Sequence, residues 1–253
     1  MYNILIFNAN YVFVIMSLIK TINYSPNFNR KKRSKKSIKF LIFHYTGMNS
    51  EKKAIKRLTN SQSKVACHYL IKNNGEVILF VPDLYIAWHA GVSSWKKYKF
   101  LNKNSIGIEI SNPGHGIKYK KFNKKQVRSI LRLTKFLIKK YKIKSKFILG
   151  HSDVSPDRKI DPGEKFPWEY LSKRNIGIWH DLNKKKLLKE RNRKLGELDK
   201  NMFIQNLYKI GYGKKLKRNV KNFKILTNSF QRRFRQELIN GIIDKECLII
   251  SKN

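Results

Sequence analysis

Six histidines are the residues of this 253-residue chain best suited to bind a metal or move a proton near neutral pH. Position separates two of them from the rest. His44 closes the apolar run Phe40-Leu41-Ile42-Phe43, and His151 follows Phe147-Ile148-Leu149-Gly150; both runs read as short buried strands. Residues at strand ends in an α/β sheet point into the loop-built crevice where ligands bind. Asp161 lies ten positions beyond His151, in a loop stiffened by Pro156 and Pro162. Two imidazoles and one carboxylate are the ligand set of an open zinc site, with a fourth tetrahedral position left for water. On spacing alone the three remain a candidate set. Ser152 between His151 and Asp153 makes no hydrolase triad, because sequence neighbours do not form the relay and the chain has no G-x-S-x-G elbow. Cys67 and His68 do not easily share one ion, since adjacent strand residues face opposite ways. We read Cys67 as core filler and His68 as structural, and His115 and His180 as surface residues.

The elements that must position these groups are legible in outline. A polar helix follows His44. Val65 to Ile71 and Glu76 to Val81 flank Lys72-Asn73-Asn74-Gly75, where Asn-Gly supplies the positive φ of a tight hairpin, so the two runs read as an antiparallel pair. Ile106 to Ile110 is a further strand. Asn123 with Gln126 forms an Asn-led capping box that opens a helix, with Val127, Ile130, Leu131, Thr134, Leu137, Ile138 and Tyr141 on its apolar face.

Five segments in order resemble the zinc-dependent N-acetylmuramoyl-L-alanine amidases of the type 2 amidase family. They are His44-Tyr45-Thr46-Gly47-Met48, His68-Tyr69-Leu70-Ile71, Ala87-Trp88-His89-Ala90-Gly91, Ser105-Ile106-Gly107-Ile108-Glu109, and Gly150-His151-Ser152-Asp153 through Asp157-Arg158-Lys159-Ile160-Asp161-Pro162-Gly163. The resemblance covers roughly Lys39 to Asp181. It implies an α/β fold with a central mixed β-sheet flanked by helices. It also implies hydrolysis of the amide between the lactyl group of N-acetylmuramic acid and the L-alanine that begins the peptidoglycan stem peptide. Position by position it implies Zn2+ on His44, His151 and Asp161, with Glu109 and Lys159 as catalytic groups; Trp88 and His89 are candidates for the substrate groove. Glu109 then takes the proton of the attacking water and returns it to the leaving amine, and Lys159 gives positive charge to the oxyanion.

The rest of the chain divides by composition. Residues 1–36 read as an apolar and basic N-terminal extension, 37–182 as the catalytic domain, 183–199 as a charged linker, and 200–253 as a small helical module. That last stretch, with Phe203, Leu207, Ile210, Phe230, Phe234, Leu238 and Ile242 as its apolar pattern, resembles a peptidoglycan-binding domain. The run Ile4 to Ile19 is short for a membrane span and lacks the flanks of a signal peptide, so export and membrane anchoring are unsupported; translation from Met16 is a simpler expectation. Two cysteines exclude a disulfide scaffold and a four-cysteine zinc module. Lys plus Arg number 56 against 16 acidic residues, a formal charge of +40, which makes polyanions natural partners. A nucleic-acid-binding role explains none of the motif order, so no specific nucleic acid is expected. The expected partners are peptidoglycan or anhydro-muropeptides, met by a monomer. A polymer-binding module favours the cell envelope; a cytoplasmic enzyme acting on recycled anhydro-muropeptides is the alternative. The second functional reading, a binding-only peptidoglycan recognition protein of the same fold, is opposed by the intact His44, His151, Asp161, Glu109 and Lys159.

Overall fold

The computed structural model describes residues 19–213 and 219–253. The apolar run from Ile4 and the start at Met16 lie outside the described residues, apart from Ile19. In chain order the elements are β1 (Ile19–Ile22), β2 (Phe28–Asn29), β3 (Phe40–Tyr45), α1 (Glu51–Thr59), β4 (Tyr69–Ile71), β5 (Val77–Leu79), β6 (Ile86–Ala87), β7 (Ser94–Trp95) and β8 (Tyr98–Lys99). They continue with β9 (Ser105–Ile110), α2 (Lys124–Tyr141), β10 (Ile148–Gly150), α3 (His151–Val154), α4 (Trp168–Ser172), α5 (Lys184–Glu190), α6 (Glu197–Ile210), α7 (Val220–Phe234) and α8 (Lys245–Lys252). One mixed sheet runs β1-β5-β4-β9-β3-β10, antiparallel only between β4 and β5. Two short antiparallel ribbons, β2-β6 and β7-β8, lie outside it.

Strand β3 is apolar throughout its first four residues because both faces of the sheet are covered. Leu41, Phe43, Ile106, Ile108, Ile110 and Ile148 pack on one side against α2. Phe40, Ile42 and Leu149 pack on the other against Phe203, Leu207, Leu226 and Phe230 of the C-terminal helices. Helix α2 opens with the expected reciprocal bonds between Asn123 and Gln126. Its buried face is wider than the periodicity predicts: Ile130, Thr134, Leu137 and Tyr141 are buried as expected, Val127, Leu131 and Ile138 flank them, and Leu133 and Phe136 are buried too. The β4-β5 hairpin is the predicted antiparallel pair with shorter strands, and Gly75 at its turn takes φ +85°. No helix among the described residues is long and apolar enough to cross a membrane.

Two expected boundaries look different in three dimensions. Residues 19–36, read from composition as extension, supply edge strand β1 and the buried Arg33, whose guanidinium donates to the carbonyls of Asp83 and Asn102. The stretch 183–199, read as linker, folds α5 and buries Leu187 and Leu195 in the core that the C-terminal helices share with the sheet. Composition reports the charged outer face of such a segment and passes over the two leucines that turn inward. Ile242, placed in the apolar pattern by spacing, is 57% exposed.

Candidate active site

Three parallel neighbours, β9, β3 and β10, end on one edge of the sheet, and each delivers one side chain there. Glu109 and His44 are register partners on β9 and β3, so their side chains leave the same face. Gly150 pairs with Phe43, which brings His151, the first residue of α3, level with His44. Asp161 arrives on the loop after α3, held by a bond from the Ser152 amide to its carbonyl at 2.8 Å. Gly150 is required beneath this loop, because a Cβ there sits 2.7 Å from Pro162 Cδ.

His44 Nδ1 and His151 Nδ1 are 2.9 Å apart, and each is 3.1 Å from Asp161 Oδ2. All three residues are buried. The other nitrogen of His151, Nε2, faces the Ala90 carbonyl at 3.2 Å, an acceptor only, which suits a donor at Nε2 and turns Nδ1 toward Asp161. Two imidazole nitrogens and one carboxylate oxygen around a common point, with cavity beyond, fit a zinc ion with one open position. Burial, and then the neighbouring His151, lower the His44 pKa to about 4, so it is a neutral donor at physiological pH. Burial by itself pushes the Asp161 carboxyl upward, but His151 and His44 overcome that and hold it well below the usual carboxylate range.

Glu109 Oε2 is shielded from solvent and has no hydrogen-bond partner. Burial raises the Glu109 pKa to about 8, helped by the Asp161 charge and opposed by Lys159. An orphaned carboxylate oxygen facing the ligand cluster is placed to exchange a proton with whatever binds there. The cavity holding these groups has a volume of about 490 Å3 and is also lined by Met48, Arg57, Arg158 and Lys159. That volume lies within the range of small-molecule sites.

The sequence-predicted residues are not all in this cavity. His44, His151, Asp161, Glu109, Lys159 and His89 line it; Trp88 does not, and its indole instead donates to Asn29 Oδ1 at 2.6 Å. His89 also lies behind His44, with its Nδ1 3.0 Å from His44 Nε2. His68 accepts from the Gly107 amide through Nδ1 and sits against Arg33, a structural position as expected. His115 is exposed, within bonding distance of Tyr45 and Glu164. His180 is half-buried with Nε2 3.2 Å from the Phe234 carbonyl, where spacing predicts a surface residue. Asp153, which spacing excludes from any triad, braces the fold instead, accepting from the Gly150 amide, Tyr212 and Arg233. That role depends on α7, which no local motif announces.

Fold and site together define a hydrolytic α/β enzyme built round a buried set of two histidines and one carboxylate. Residues 34–164 match the N-acetylmuramoyl-L-alanine amidase family, and the chain belongs to that family. It is 33% identical over 227 residues to the N-acetylmuramoyl-L-alanine amidase AmiD of Escherichia coli strain K12, covering 85% of this chain and 81% of AmiD. The 1,6-anhydro-N-acetylmuramyl-L-alanine amidase AmpD of Haemophilus influenzae is 42% identical over 113 residues, 44% of this chain and 59% of AmpD. Among solved structures, E. coli AmiD in complex with anhydro-N-acetylmuramic acid-L-Ala-D-γ-Glu-L-Lys superposes with a TM-score of 0.76 at 30% identity, over 88% of this chain and 91% of that one. AmpDh3 of Pseudomonas aeruginosa gives the same TM-score at 27% identity, over 90% and 94%.

Proposed function

We propose that this chain hydrolyses the amide between N-acetylmuramic acid and L-alanine in peptidoglycan and its muropeptide fragments, with Zn2+ held by His44, His151 and Asp161. The observation that carries the reading is the convergence of His44 Nδ1, His151 Nδ1 and Asp161 Oδ2 within 3.1 Å of one another, on the cavity that Glu109 also enters. Zinc in such a site supplies Lewis acidity and brings the pKa of water to about 7. Glu109 receives the proton of the attacking water through its unpartnered oxygen and later gives it to the departing L-alanine amine. Lys159, on the cavity wall, faces the oxyanion with positive charge. Asp161 stays ionised throughout, which suits a ligand and disqualifies it as the acid.

The reading extends to polymer. The C-terminal helices leave a second groove of about 610 Å3 lined by Trp179, His180, Asn206, Lys209 and Phe234, an aromatic wall beside polar groups that suits a glycan strand. The test is mass spectrometry of products from soluble muropeptide and from intact sacculi. Release of stem peptide with a free L-alanine amine is expected from both, abolished by a chelator, restored by added zinc, and absent in His151→Ala. Turnover that survives chelation or persists in His151→Ala overturns the metal assignment, and turnover confined to soluble fragments overturns the polymer part.

A further inference from the structure

Behind the ligand cluster a line of polar groups runs into the protein interior, and nothing in the proposed reaction uses it. Ser105 Oγ lies 2.6 Å from the Leu101 carbonyl and 3.1 Å from His89 Nε2. His89 Nδ1 lies 3.0 Å from His44 Nε2. His89 and Ser105 are buried, Ser105 completely. Buried polar groups of this kind are expected to have defined donor and acceptor roles.

We infer that His89 and Ser105 are positioning residues which, through this chain of hydrogen bonds ending on the Leu101 carbonyl, fix the tautomer and ring orientation of His44. The direction of the chain follows from its end. A carbonyl only accepts, so the single Ser105 hydroxyl proton goes to Leu101, and Ser105 Oγ is left to accept from His89 Nε2–H. A neutral His89 that carries its proton on Nε2 has an acceptor at Nδ1. His44 Nε2 must therefore donate, and the lone pair of His44 Nδ1 is turned toward His151 and Asp161. The ring that does this has been given room: a Cβ on Gly107 sits 2.3 Å from His89 Cγ, so a side chain at Gly107 collides with the ring that His44 leans on. Metal-ligating histidines commonly use a carboxylate or carbonyl for this purpose. Here the partner is a second imidazole, and the carbonyl stands two steps further in. His44 is thereby oriented by a neutral partner, which itself adds no negative charge beside Asp161.

The inference rests on His44 serving as a metal ligand, and two readouts keep the two ideas apart. The first is the tautomer of His44 in the full-length, metal-stripped protein labelled with 15N in histidine, read from long-range 15N–1H spectra. The second is zinc affinity, measured by competition with a chromophoric chelator. Wild-type protein should show a single Nε2-protonated His44. His89→Leu removes the acceptor and should give a second His44 tautomer together with zinc binding weakened about 10- to 100-fold. His89→Asn, whose Oδ1 occupies the place of Nδ1, should recover most of that affinity. Ser105→Ala removes one oxygen, frees His89 to hold its proton on either nitrogen, and should also produce the second His44 signal. A single unchanged tautomer in both Ser105→Ala and His89→Leu overturns the inference. So does a loss in His89→Asn equal to that in His89→Leu, which makes the ring matter for bulk alone. Wild-type protein that binds no zinc but shows the single Nε2–H tautomer sinks the metal reading and leaves this one standing.

Discussion

Replacing Glu109 with glutamine is expected to lower kcat/KM on muropeptide by about 100- to 10,000-fold, the usual worth of a general acid–base group, with zinc content unchanged. Glutamine keeps the size and one oxygen of the side chain but neither takes nor returns a proton. The metal-stripped protein gives a second, opposite signature. Burial places the Glu109 pKa at about 8 in the folded chain against an ordinary 4.5. A carboxyl whose pKa is raised by folding costs nothing below its ordinary pKa, and it destabilises the protein progressively as pH climbs toward the raised value. Glutamine has no such dependence. In urea titrations without metal, Glu109→Gln should therefore match the wild type at about pH 5 and exceed its stability at about pH 9. A cation at the ligand cluster lowers the Glu109 pKa and should shrink that gap. A gap of equal size at both pH values shows that Glu109 is not the titrating group. Activity within a few-fold of wild type removes it from the reaction.

The second large effect lies away from the chemistry. Arg233→Leu is expected to cost about 3–5 kcal/mol, the penalty for removing one partner of a buried ion pair. Arg233 and Asp153 are both nearly inaccessible, with Nη1 3.0 Å from Oδ2. The guanidinium also lies 3.4 Å over the Trp168 ring and reaches the Ile148 carbonyl at 3.2 Å. Asp153 is two residues from His151, and its bonds to the Gly150 amide and to Tyr212 connect the strand end that leads into His151 to the C-terminal segment. Loss of Arg233 leaves a charged carboxylate in that interior. Equilibrium urea unfolding measures the cost, and a loss below about 1 kcal/mol, typical of a surface pair, shows that Asp153 finds solvent and that the pair does not anchor these helices.

Five strands of the central sheet were legible in the sequence as short apolar runs closed by turn residues, whereas edge strand β1 was read as extension; His44 and His151 stood out because each follows such a run. Asp161 joined them as a candidate on residue type and loop position alone, since nothing in a ten-residue spacing dictates how a loop returns, and only the resemblance singled out Glu109 and Lys159. Ser105 was missed although a signal existed. Ser105, Gly107 and Glu109 alternate with Ile106, Ile108 and Ile110, and strand period sets the three isoleucines against α2 and the other three toward the histidines. His89 was placed in the groove by the motif it belongs to, and only its distance to His44 shows what it leans on. The shared core was illegible for a different reason. Phe40 and Ile42 announce a buried second face but do not say what covers it, and the answer lies some 160 or more positions downstream in Phe203 and Phe230.

Among the described residues, that shared core packs the strands that carry His44 and lead into His151 directly against the C-terminal helices that line the aromatic groove. If the helices grip a long glycan as proposed, the bond offered for cleavage lies at one offset from the point of grip, and cuts along the strand should fall at a constant stride.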